Sequence, residues 1–440
     1  MLKVPHLETA LTGPLLHLEK KFLDNQVAIE SWFREQWQLT PPTFYGSVDL
    51  RNAGFKLAPV DTNLFPAGFN NLNPEMMALC VQAVQATMAE KCPCATRLLL
   101  IPESHTRNIF YFENLATLAE ILKRAGFDVR MASLIPDLTE PLKHLLPSGR
   151  EITLEPLIRD NGRVGVENYF PCCIILNNDF SAGIPDILKN TKQAFMPSLD
   201  LGWSTRLKSD HFRLYQSVTE EFSKVIDIDP WLINPYFDHC GEVDFSNQNN
   251  QACLAERATV LFQKIREKYA EYKIDQTPFL VVKADQGTYG MAVMMIQDPM
   301  ELVNLNRKQR TKMSSLKGGS AVTKVIMQEG VYTFETVGDE NAVAEPVVYH
   351  IGRHVVGGFY RIHKNRGIDE NLNAPGMDFH PLAFAKNCHV PPYAHGEVKE
   401  PVNRFYAYGV VGRLAMIAAA RETVGERSEP RTKRSESERI

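Results

Sequence analysis

A lysine beside a glycine-bearing turn is the first feature of this sequence that could do chemistry. Lys283 directly follows the apolar run FLVV, and Gly287 and Gly290 come next within the phrase KADQGTYGM. Backbone N–H groups reach a phosphate only where no side chain intervenes, and a lysine adds a positive charge beside them. The spacing matches neither the Walker pattern nor the dinucleotide fingerprint. A phosphate-binding turn and a plain β-hairpin with a surface lysine are therefore both open at this point.

A second set of polar residues stands on a predicted hairpin near the start of the chain, formed by FYGSVDL and FKLAPVDTN. Asp61 and Asn63 share one face of its second strand, because side chains two positions apart in a strand point the same way. They are either ligands for Mg²⁺, which prefers hard oxygen atoms, or ordinary turn residues. Asp49 on the first strand is a further metal candidate. Arg51 and Lys56 suit an anionic substrate, although Lys56, at the turn, could equally face solvent.

The order of predicted helices and strands that must position these residues is typical of a mixed α/β protein. RLLLI, NIFYFENLATLAEILKRAG and FDVRMAS read as strand, helix and strand, and CCIIL with IPDILKN continues the alternation. Helical periodicity spans 11–38, 208–225 and 253–273, strands dominate from 278 to 365, and RFYAYGVVGRLAMIAAARE predicts a closing helix. We therefore predict an N-terminal helical segment at 1–40, a Rossmann-like parallel α/β domain at 96–200, and a disordered, highly charged tail at 423–440.

Bulk composition limits the function classes. A chain of 440 residues predicts two or three domains, and 44% hydrophobic with 23% charged residues is typical of a globular enzyme. The net charge of -4 argues against a nucleic-acid surface, and no apolar run has the length of a membrane helix. The eight cysteines form no C-x-x-C pair, which predicts reduced, mostly buried thiols in a cytoplasmic protein.

Four segments follow in an order that resembles the ATP-grasp ligases, and glutathione synthetases in particular. They are KADQGTYGM, VIMQEGV, the hairpin EPVVYHIGRHVVGGFYRIH, and IDENLNAPG. The early Asp61-x-Asn63 pair resembles the permuted arrangement of eukaryotic glutathione synthetases, whose metal motif stands near the N-terminus with Glu in place of this Asp. The resemblance implies an ATP-grasp, glutathione-synthetase-like fold. It also implies that 41–95 and 201–422 bind ATP and Mg²⁺, and that 96–200 is a substrate domain.

The resemblance further implies a role for individual residues. The implied catalytic residues are Lys283 and Arg361; the ATP-binding residues are Lys208, Lys283, Gly287, Gly290, Gln328 and Glu329; the metal ligands are Asp61, Asn63 and Glu345; and the substrate-binding residues are Arg51, Asn70, Asn71, Asn371 and Asn373. Gln328 and Glu329 would lie at the adenine edge, and Arg361 would lie near the transferred phosphoryl group. Two plainer readings stay open: Glu345 as an edge-strand charge that faces water, and Arg361 as a structural salt-bridge partner.

The chain up to about residue 422 also resembles the proteobacterial glutamate–cysteine ligases of ATP-grasp type. The phrases KLAPVDTNLFPAGFNNL, VVKADQGTYGM, VIMQEGV and NLNAPGMDF carry this resemblance. It implies the first step of glutathione biosynthesis, in which the γ-carboxylate of glutamate is joined through an acyl phosphate to the amine of cysteine. Glutathione synthetase, another amino-acid ligase and a non-catalytic α/β module that binds a small ligand are the alternatives. The sequence does not decide the oligomeric state, so a homodimer stays open.

Overall fold

Helices and strands alternate along the chain largely where the sequence predicts them. The computed structural model describes residues 7–9, 13–103, 108–241, 243–245, 247–287, 292–314, 321–337, 340–382 and 404–428. The helices in these ranges are α1 (Gly13–Asp24), α2 (Gln26–Leu39), α3 (Met77–Lys91), α4 (Ile109–Arg124), α5 (Lys208–Ile226), α6 (Gln248–Glu271), α7 (Arg307–Ser314) and α8 (Arg404–Ser428). Helix α8 thus continues past residue 422, the predicted end of the ordered region.

The strands belong to three main sheets and one small ribbon. They are β1 (Leu7–Thr9), β2 (Tyr45–Asn52), β3 (Leu57–Asn63), β4 (Arg97–Pro102), β5 (Asp128–Ser133), β6 (Leu142–Leu145), β7 (Glu151–Pro156), β8 (Ile158–Asp160), β9 (Arg163–Gly165), β10 (Cys173–Asn177), β11 (Ala194–Met196), β12 (Phe237–Cys240), β13 (Leu280–Ala284), β14 (Val293–Ile296), β15 (Val325–Glu329), β16 (Glu335–Val337), β17 (Ala342–Ile351), β18 (His354–His363) and β19 (Asp378–Pro381). The strands β8 and β9 form the ribbon.

The parallel sheet confirms the predicted β-α-β unit. The helix expected to continue the alternation after β10 is not formed. Its strand order is β11-β10-β4-β5-β7-β6, and every neighbouring pair except β6 with β7 is parallel. Helix α4 makes the crossover between β4 and β5, as predicted. The segment IPDILKN, however, forms only a 3-10 turn at Asp186–Leu188. A proline and a short apolar stretch are too little to sustain a helix there.

Two antiparallel sheets face each other across the rest of the molecule. The seven-stranded sheet has the path β1-β16-β17-β18-β19, and the hairpin of β2 and β3 joins it through β17. The four-stranded sheet has the order β12-β15-β13-β14. The long strands β17 and β18 are buried along most of their length. The phrases that read as separate strands in the sequence therefore form two sheets, which together supply most of the polar residues singled out above.

Helix α8 packs against the back of the β2–β3 hairpin. Its residues from 406 to 420 are all buried, which is typical of a helix enclosed on every face rather than an amphipathic surface helix. Small residues allow the close approach, since a Cβ on Gly46 would come within 2.7 Å of Met416 and one on Gly412 within 2.7 Å of His350. The predicted closing helix thus forms the core under the hairpin.

None of the helices in the described ranges combines the length and the apolar character that a bilayer-spanning segment needs.

Helix α8 is also fixed to α2 by a charged pair, which gives a test of the packing. Arg413 is 5% exposed, donates to both Glu30 carboxylate oxygens at 2.7 and 2.8 Å, and stacks over Phe33. We expect Glu30→Ala to lower stability by about 1–3 kcal/mol, because it leaves a buried guanidinium without its carboxylate. The apparent Tm of the full chain measures this effect. Lys20→Ala, which breaks an exposed pair with Asp24, should change it little, and an equal loss in both variants would contradict the proposed packing.

Candidate active site

A cleft of about 740 Å³ lies where the three main sheets meet. The two antiparallel sheets form opposite walls, and the carboxyl ends of β4 and β10 close one side with Glu103 and Asp179. Apart from Gly290, which lies outside the described residues, every residue assigned to a site from the sequence lines this cleft. These residues are Arg51, Asp61, Asn63, Asn70, Asn71, Lys208, Lys283, Gly287, Gln328, Glu329, Glu345, Arg361, Asn371 and Asn373.

The β2–β3 hairpin places two acids opposite each other in the cleft. Asp49 is the register partner of Asp61, and the register then shifts so that Val60 is left as a bulge residue. A bulge turns backbone groups away from the ladder, and the Val60 carbonyl accepts a hydrogen bond from Lys283 Nζ at 2.7 Å. Asn63 follows on the same strand, and its Oδ1 accepts from the backbone N–H of Phe65. The hairpin therefore meets a lysine that lies 223 residues away in sequence.

Two lysines surround the carboxylate of Asp61. Lys208 Nζ donates to Asp61 Oδ1 at 2.8 Å and lies 3.8 Å from the centre of the Trp203 ring. Burial lowers the pKa of Lys283 to about 8. Burial also acts to raise the pKa of Asp61, but the charges of Lys208 and Lys283 outweigh it and hold this pKa well below its usual range. An ionised acid between two ammonium groups is an arrangement suited to triphosphate and a divalent cation together.

A second charged network lies beside the first on the seven-stranded sheet. Glu345 accepts from Arg51 Nε at 3.1 Å through one carboxylate oxygen and from Arg361 Nη1 at 2.5 Å through the other. Arg361 Nη1 also donates to Asp49 Oδ2 at 2.8 Å. Burial, opposed by Arg361 and supported by the charge of Glu345, raises the pKa of Asp49. The structure therefore places Glu345 as a buried bridge between two arginines, not as an edge charge that faces water.

One donor of Arg361 is buried without a partner among the described residues. Burial acts to lower the pKa of Arg361, yet the charges of Asp49 and Glu345 prevail and raise it. Its Nε atom is buried and has no hydrogen-bond partner among the described residues. Since the side chain lines the cleft, this N–H can serve an anionic group bound there.

Gln328 and Glu329 lie at the end of β15, but their side chains differ in how many of their hydrogen-bonding groups are already paired. Gln328 Oε1 accepts from Lys283 Nζ at 2.9 Å, while its Nε2 is buried without a partner among the described residues. The Glu329 carboxylate is fully engaged by Lys56 Nζ at 2.8 Å, the indole N–H of Trp231, and the backbone N–H of Tyr236. Gln328 therefore keeps a side-chain donor without a partner among the described residues, whereas the Glu329 carboxylate is occupied and its backbone N–H donates to the Tyr236 carbonyl at 2.7 Å.

Lys56 corrects one alternative of the sequence analysis. It is fully buried rather than exposed at a hairpin turn, and it pairs with Glu329, which is 1% exposed. Its ammonium group also lies 4.2 Å from the centre of the Trp231 ring. Burial lowers the pKa of Lys56 to about 8. The turn is covered by the chain around Trp231, a contact that local sequence does not reveal, so Lys56 is not available to a substrate.

The asparagine loops predicted to bind substrate form the mouth of the cleft. Asn70 and Asn71 lie in the 3-10 turn Phe69–Asn71, where Asn70 Nδ2 donates to Asn71 Oδ1 at 3.1 Å. Asn371 Oδ1 accepts from the backbone N–H of Asn373 at 3.0 Å, which fixes the last loop as a local turn. Gly287 has a φ of 91°, a left-handed conformation that favours glycine at the start of the glycine-bearing turn.

The comparisons with known proteins agree with this geometry. The glutamate–cysteine ligase family (GshA) matches residues 19–423. The chain belongs to the glutamate–cysteine ligase family. The match confirms the resemblance drawn from the sequence, and with it a C–N ligase rather than a non-catalytic binding module.

Solved structures include one close relative of this ligase. A protein from Methylobacillus flagellatus KT, provisionally named gamma-glutamylcysteine synthetase, is 55% identical, covers 97% of this chain and 100% of its own, and superposes with a TM-score of 0.89. Two remote structures are each 9% identical. D-alanyl-alanine synthetase A from Vibrio cholerae covers 53% of this chain and 60% of its own at a TM-score of 0.26. A glutathione synthetase-like effector from Globodera pallida covers 86% of this chain and 85% of its own at a TM-score of 0.36. No curated protein matches the chain significantly.

Two positioning residues of this ligase were missed by the sequence analysis. Asp285, two residues after Lys283, accepts from the backbone N–H of Ser209 at 2.7 Å and from its hydroxyl at 2.6 Å. It thereby holds the first turn of α5, which begins at Lys208, against the end of β13. Asn114 on α4 accepts from the backbone N–H groups of Gly68 and Phe69 at 2.9 Å each. Asp285 stands inside the phrase KADQG, but nothing in the sequence indicates its partner.

A buried acid on α8 supports the cleft from behind. Glu422 pairs with Arg206 Nε at 2.7 Å and with His211 Nδ1 at 2.6 Å. Arg206 also donates to the carbonyl of Thr62, between Asp61 and Asn63, at 2.6 Å. Burial acts to raise the pKa of Glu422, but the charge of Arg206 and the contact with His211 lower it to about 2. Helix α8 therefore holds β3, the strand that carries Asp61 and Asn63, together with the start of α5.

This network predicts a pH-dependent stability difference between the wild type and Glu422→Gln. Because the folded-state pKa is depressed from 4.5 to about 2, the carboxylate stabilises the fold above pH 4.5, and this stabilisation is lost as the pH falls toward 2. We expect the variant to have a lower apparent Tm at neutral pH and the gap to narrow progressively below pH 4.5. Glu35→Gln, at an exposed acid on α2, is the control. A gap that is constant with pH would exclude the ionised Glu422 as its cause.

Proposed function

We propose that this ligase binds ATP between its two antiparallel sheets in the manner of an ATP-grasp enzyme and activates the γ-carboxylate of glutamate. The γ-phosphoryl group moves from ATP to a carboxylate oxygen of glutamate, with ADP as the leaving group, and the amine of cysteine then attacks the acyl carbon. Phosphate leaves and the amine loses a proton, so that γ-glutamylcysteine forms. Family membership supports the substrate pair. The observation that carries the nucleotide site is the meeting of Lys208, Lys283 and Asp61 in one cleft.

The two lysines are assigned to the phosphates. Lys283 Nζ donates to the Val60 carbonyl and to Gln328 Oε1, which are neutral partners that an anion can replace. Its lowered pKa reflects a buried cation without a paired carboxylate, and a phosphate oxygen would supply the missing negative charge. Gly287 and Gly290 are assigned to the lid over the phosphates. Gln328 and the backbone carbonyl of Glu329 are assigned to the adenine edge.

The donor set of the cleft fits Mg²⁺. Asp61, Asn63 and Glu345, together with Asp49, offer carboxylate and amide oxygens, the ligand types that Mg²⁺ prefers. Burial raises the pKa of Asp49, and the charges of Glu345 and Asp61 act in the same direction; a divalent cation would relieve this repulsion between like charges. No three carboxylates among the described residues have oxygens all within 4.8 Å of one another, so phosphate oxygens would complete the coordination. The ion would neutralise charge that develops on the phosphoryl group.

The arginines and the asparagine loops are assigned to the reacting amino acids. Arg361, with a free buried N–H, lies beside the acids and suits the transferred phosphoryl group or the carboxylate that accepts it. Glu345 holds Arg361 and Arg51 in place, and Arg51 also donates to the carbonyls of Val331 and Glu370. We assign Arg51 with Asn70, Asn71, Asn371 and Asn373 to substrate binding, and the 96–200 domain to the substrate side of the cleft.

The activity is tested by phosphate release from ATP by the full chain. We expect release that requires both glutamate and cysteine, with γ-glutamylcysteine as the product identified by mass spectrometry. Lys283→Met should abolish release, since it removes one of the two cations assigned to the phosphates. If release instead requires γ-glutamylcysteine and glycine, the protein is a glutathione synthetase and the proposed substrate pair is wrong.

The metal assignment predicts a magnesium-dependent defect. Asp61→Asn should lower turnover at limiting Mg²⁺ by roughly a hundredfold, with partial recovery as Mg²⁺ is raised, because the variant loses a negatively charged ligand. Asp238→Asn, which breaks an exposed pair with Arg257, is the control and should follow the wild-type curve. Near-normal turnover of Asp61→Asn at limiting Mg²⁺ would show that Asp61 does not hold the ion.

A further inference from the structure

Three cysteine thiols from two distant segments converge on the surface of the parallel α/β unit. The sulfur atoms of Cys92, Cys94 and Cys172 all lie within 4.8 Å of one another, and Cys92 Sγ is 4.0 Å from Cys172 Sγ. Cys94 and Cys172 are exposed and Cys92 is half-buried. Only Cys80 and Cys173 among the seven described cysteines are buried, which corrects the expectation that most of these thiols lie in the core.

The backbone around the cluster is fixed on both sides. Cys92 ends α3 and donates its N–H to the Met88 carbonyl, and the N–H of Ala95 returns to the Cys92 carbonyl at 3.0 Å. This tight turn brings Cys94 back beside Cys92. Cys172 directly precedes β10, which lies parallel to β4, and its carbonyl accepts from the N–H of Ala194. The thiols therefore project from ordered backbone, so the cluster is a property of the fold rather than of flexible side chains.

We propose that Cys92, Cys94 and Cys172 form a thiolate site for Zn²⁺. Thiolates are soft ligands that favour zinc over the magnesium of an oxygen-lined cleft. Zinc–sulfur bonds of about 2.3 Å in tetrahedral geometry place two sulfurs about 3.8 Å apart, which is close to the 4.0 Å between Cys92 and Cys172. A disulfide joins two sulfur atoms, whereas three converge here. Because two of the thiols are exposed, an ion has an entry path, and a solvent molecule can complete the tetrahedron.

The site lies away from the catalytic cleft, so bound zinc would take no part in the ligase reaction. Cys92 and Cys94 precede β4 and Cys172 precedes β10, whereas Glu103 and Asp179 line the cleft from beyond the opposite ends of these two strands. At about 3.3 Å per residue, the six residues of β4 separate the two ends by roughly 20 Å. Bound zinc would tie the α3–β4 turn to the start of β10 at the base of the sheet that carries the substrate side of the cleft. Binding would displace the thiol protons and weaken as the pH falls.

The test is zinc binding by the full chain, reduced, stripped of metal and titrated in competition with a chromophoric chelator. We expect one tight site per chain in the wild type. Cys94→Ser and Cys172→Ser should each lower the affinity by at least roughly a hundredfold, since removal of a group that merely supports a ligand already costs about ten- to a hundredfold. Cys253→Ser, at an exposed cysteine on α6, is the matched control and should bind as the wild type does. All variants should keep the ligase activity.

Two further measurements on the wild type keep the proposal open to refutation. Cadmium should give the ultraviolet charge-transfer absorption of metal–thiolate bonds, and zinc should protect Cys94 and Cys172 from alkylation while Cys253 stays reactive. Equal zinc affinity in the wild type and Cys94→Ser would overturn the proposal. So would a reduced protein that binds no metal but forms a Cys92–Cys172 disulfide in air, because the cluster would then be a redox pair.

Discussion

The pairing of buried charges in the cleft is the constraint on which the rest of this structure depends. Burying an ionised group costs several kcal/mol unless an opposite charge or hydrogen bonds compensate it. Here the acids and bases are interleaved: Lys208 contacts Asp61, and Glu345 lies between Arg51 and Arg361. Each partner comes from a different segment of the chain, so the cleft can form only when the sheets have been brought together. The site and the tertiary fold are therefore one assembly.

The pairings also explain why a ligand can enter without unfolding the site. Lys283 has neutral partners, Gln328 Nε2 and Arg361 Nε are buried donors without partners among the described residues, and Asp49 carries a raised pKa. These are the groups for which a bound anion or cation would supply the missing hydrogen-bond partner or opposite charge. The structural pairs, by contrast, compensate each other: Lys56 with Glu329, and Arg206 with Glu422. Charge compensation thus distinguishes the groups that are available to a ligand from the pairs that stabilise the fold.

The supporting residues act on segments that lie far from them in the sequence, and these roles were largely invisible there. Asp285 fixes the start of α5, Asn114 fixes the loop that precedes Asn70, and Glu422 fixes the strand of Asp61 from behind. Asp285 and Asn114 accept from backbone N–H groups, which any residue type presents, and Glu422 acts through the side chain of Arg206. A sequence pattern can reveal a lysine beside glycines, but it cannot reveal which carboxylate will accept from a particular N–H group.

By itself the sequence determined most of the long helices, the strands that carry the site, the β-α-β unit and a set of residues that line the cleft. Periodicity and turn residues act locally, and the ordered phrases around Lys283 carry the family resemblance. Only the tertiary structure decided that Lys56 is buried with Glu329, that Glu345 bridges two arginines, and that Cys92, Cys94 and Cys172 meet. These depend on contacts between segments distant in the chain, where burial and register, rather than local propensity, set each side chain's partner.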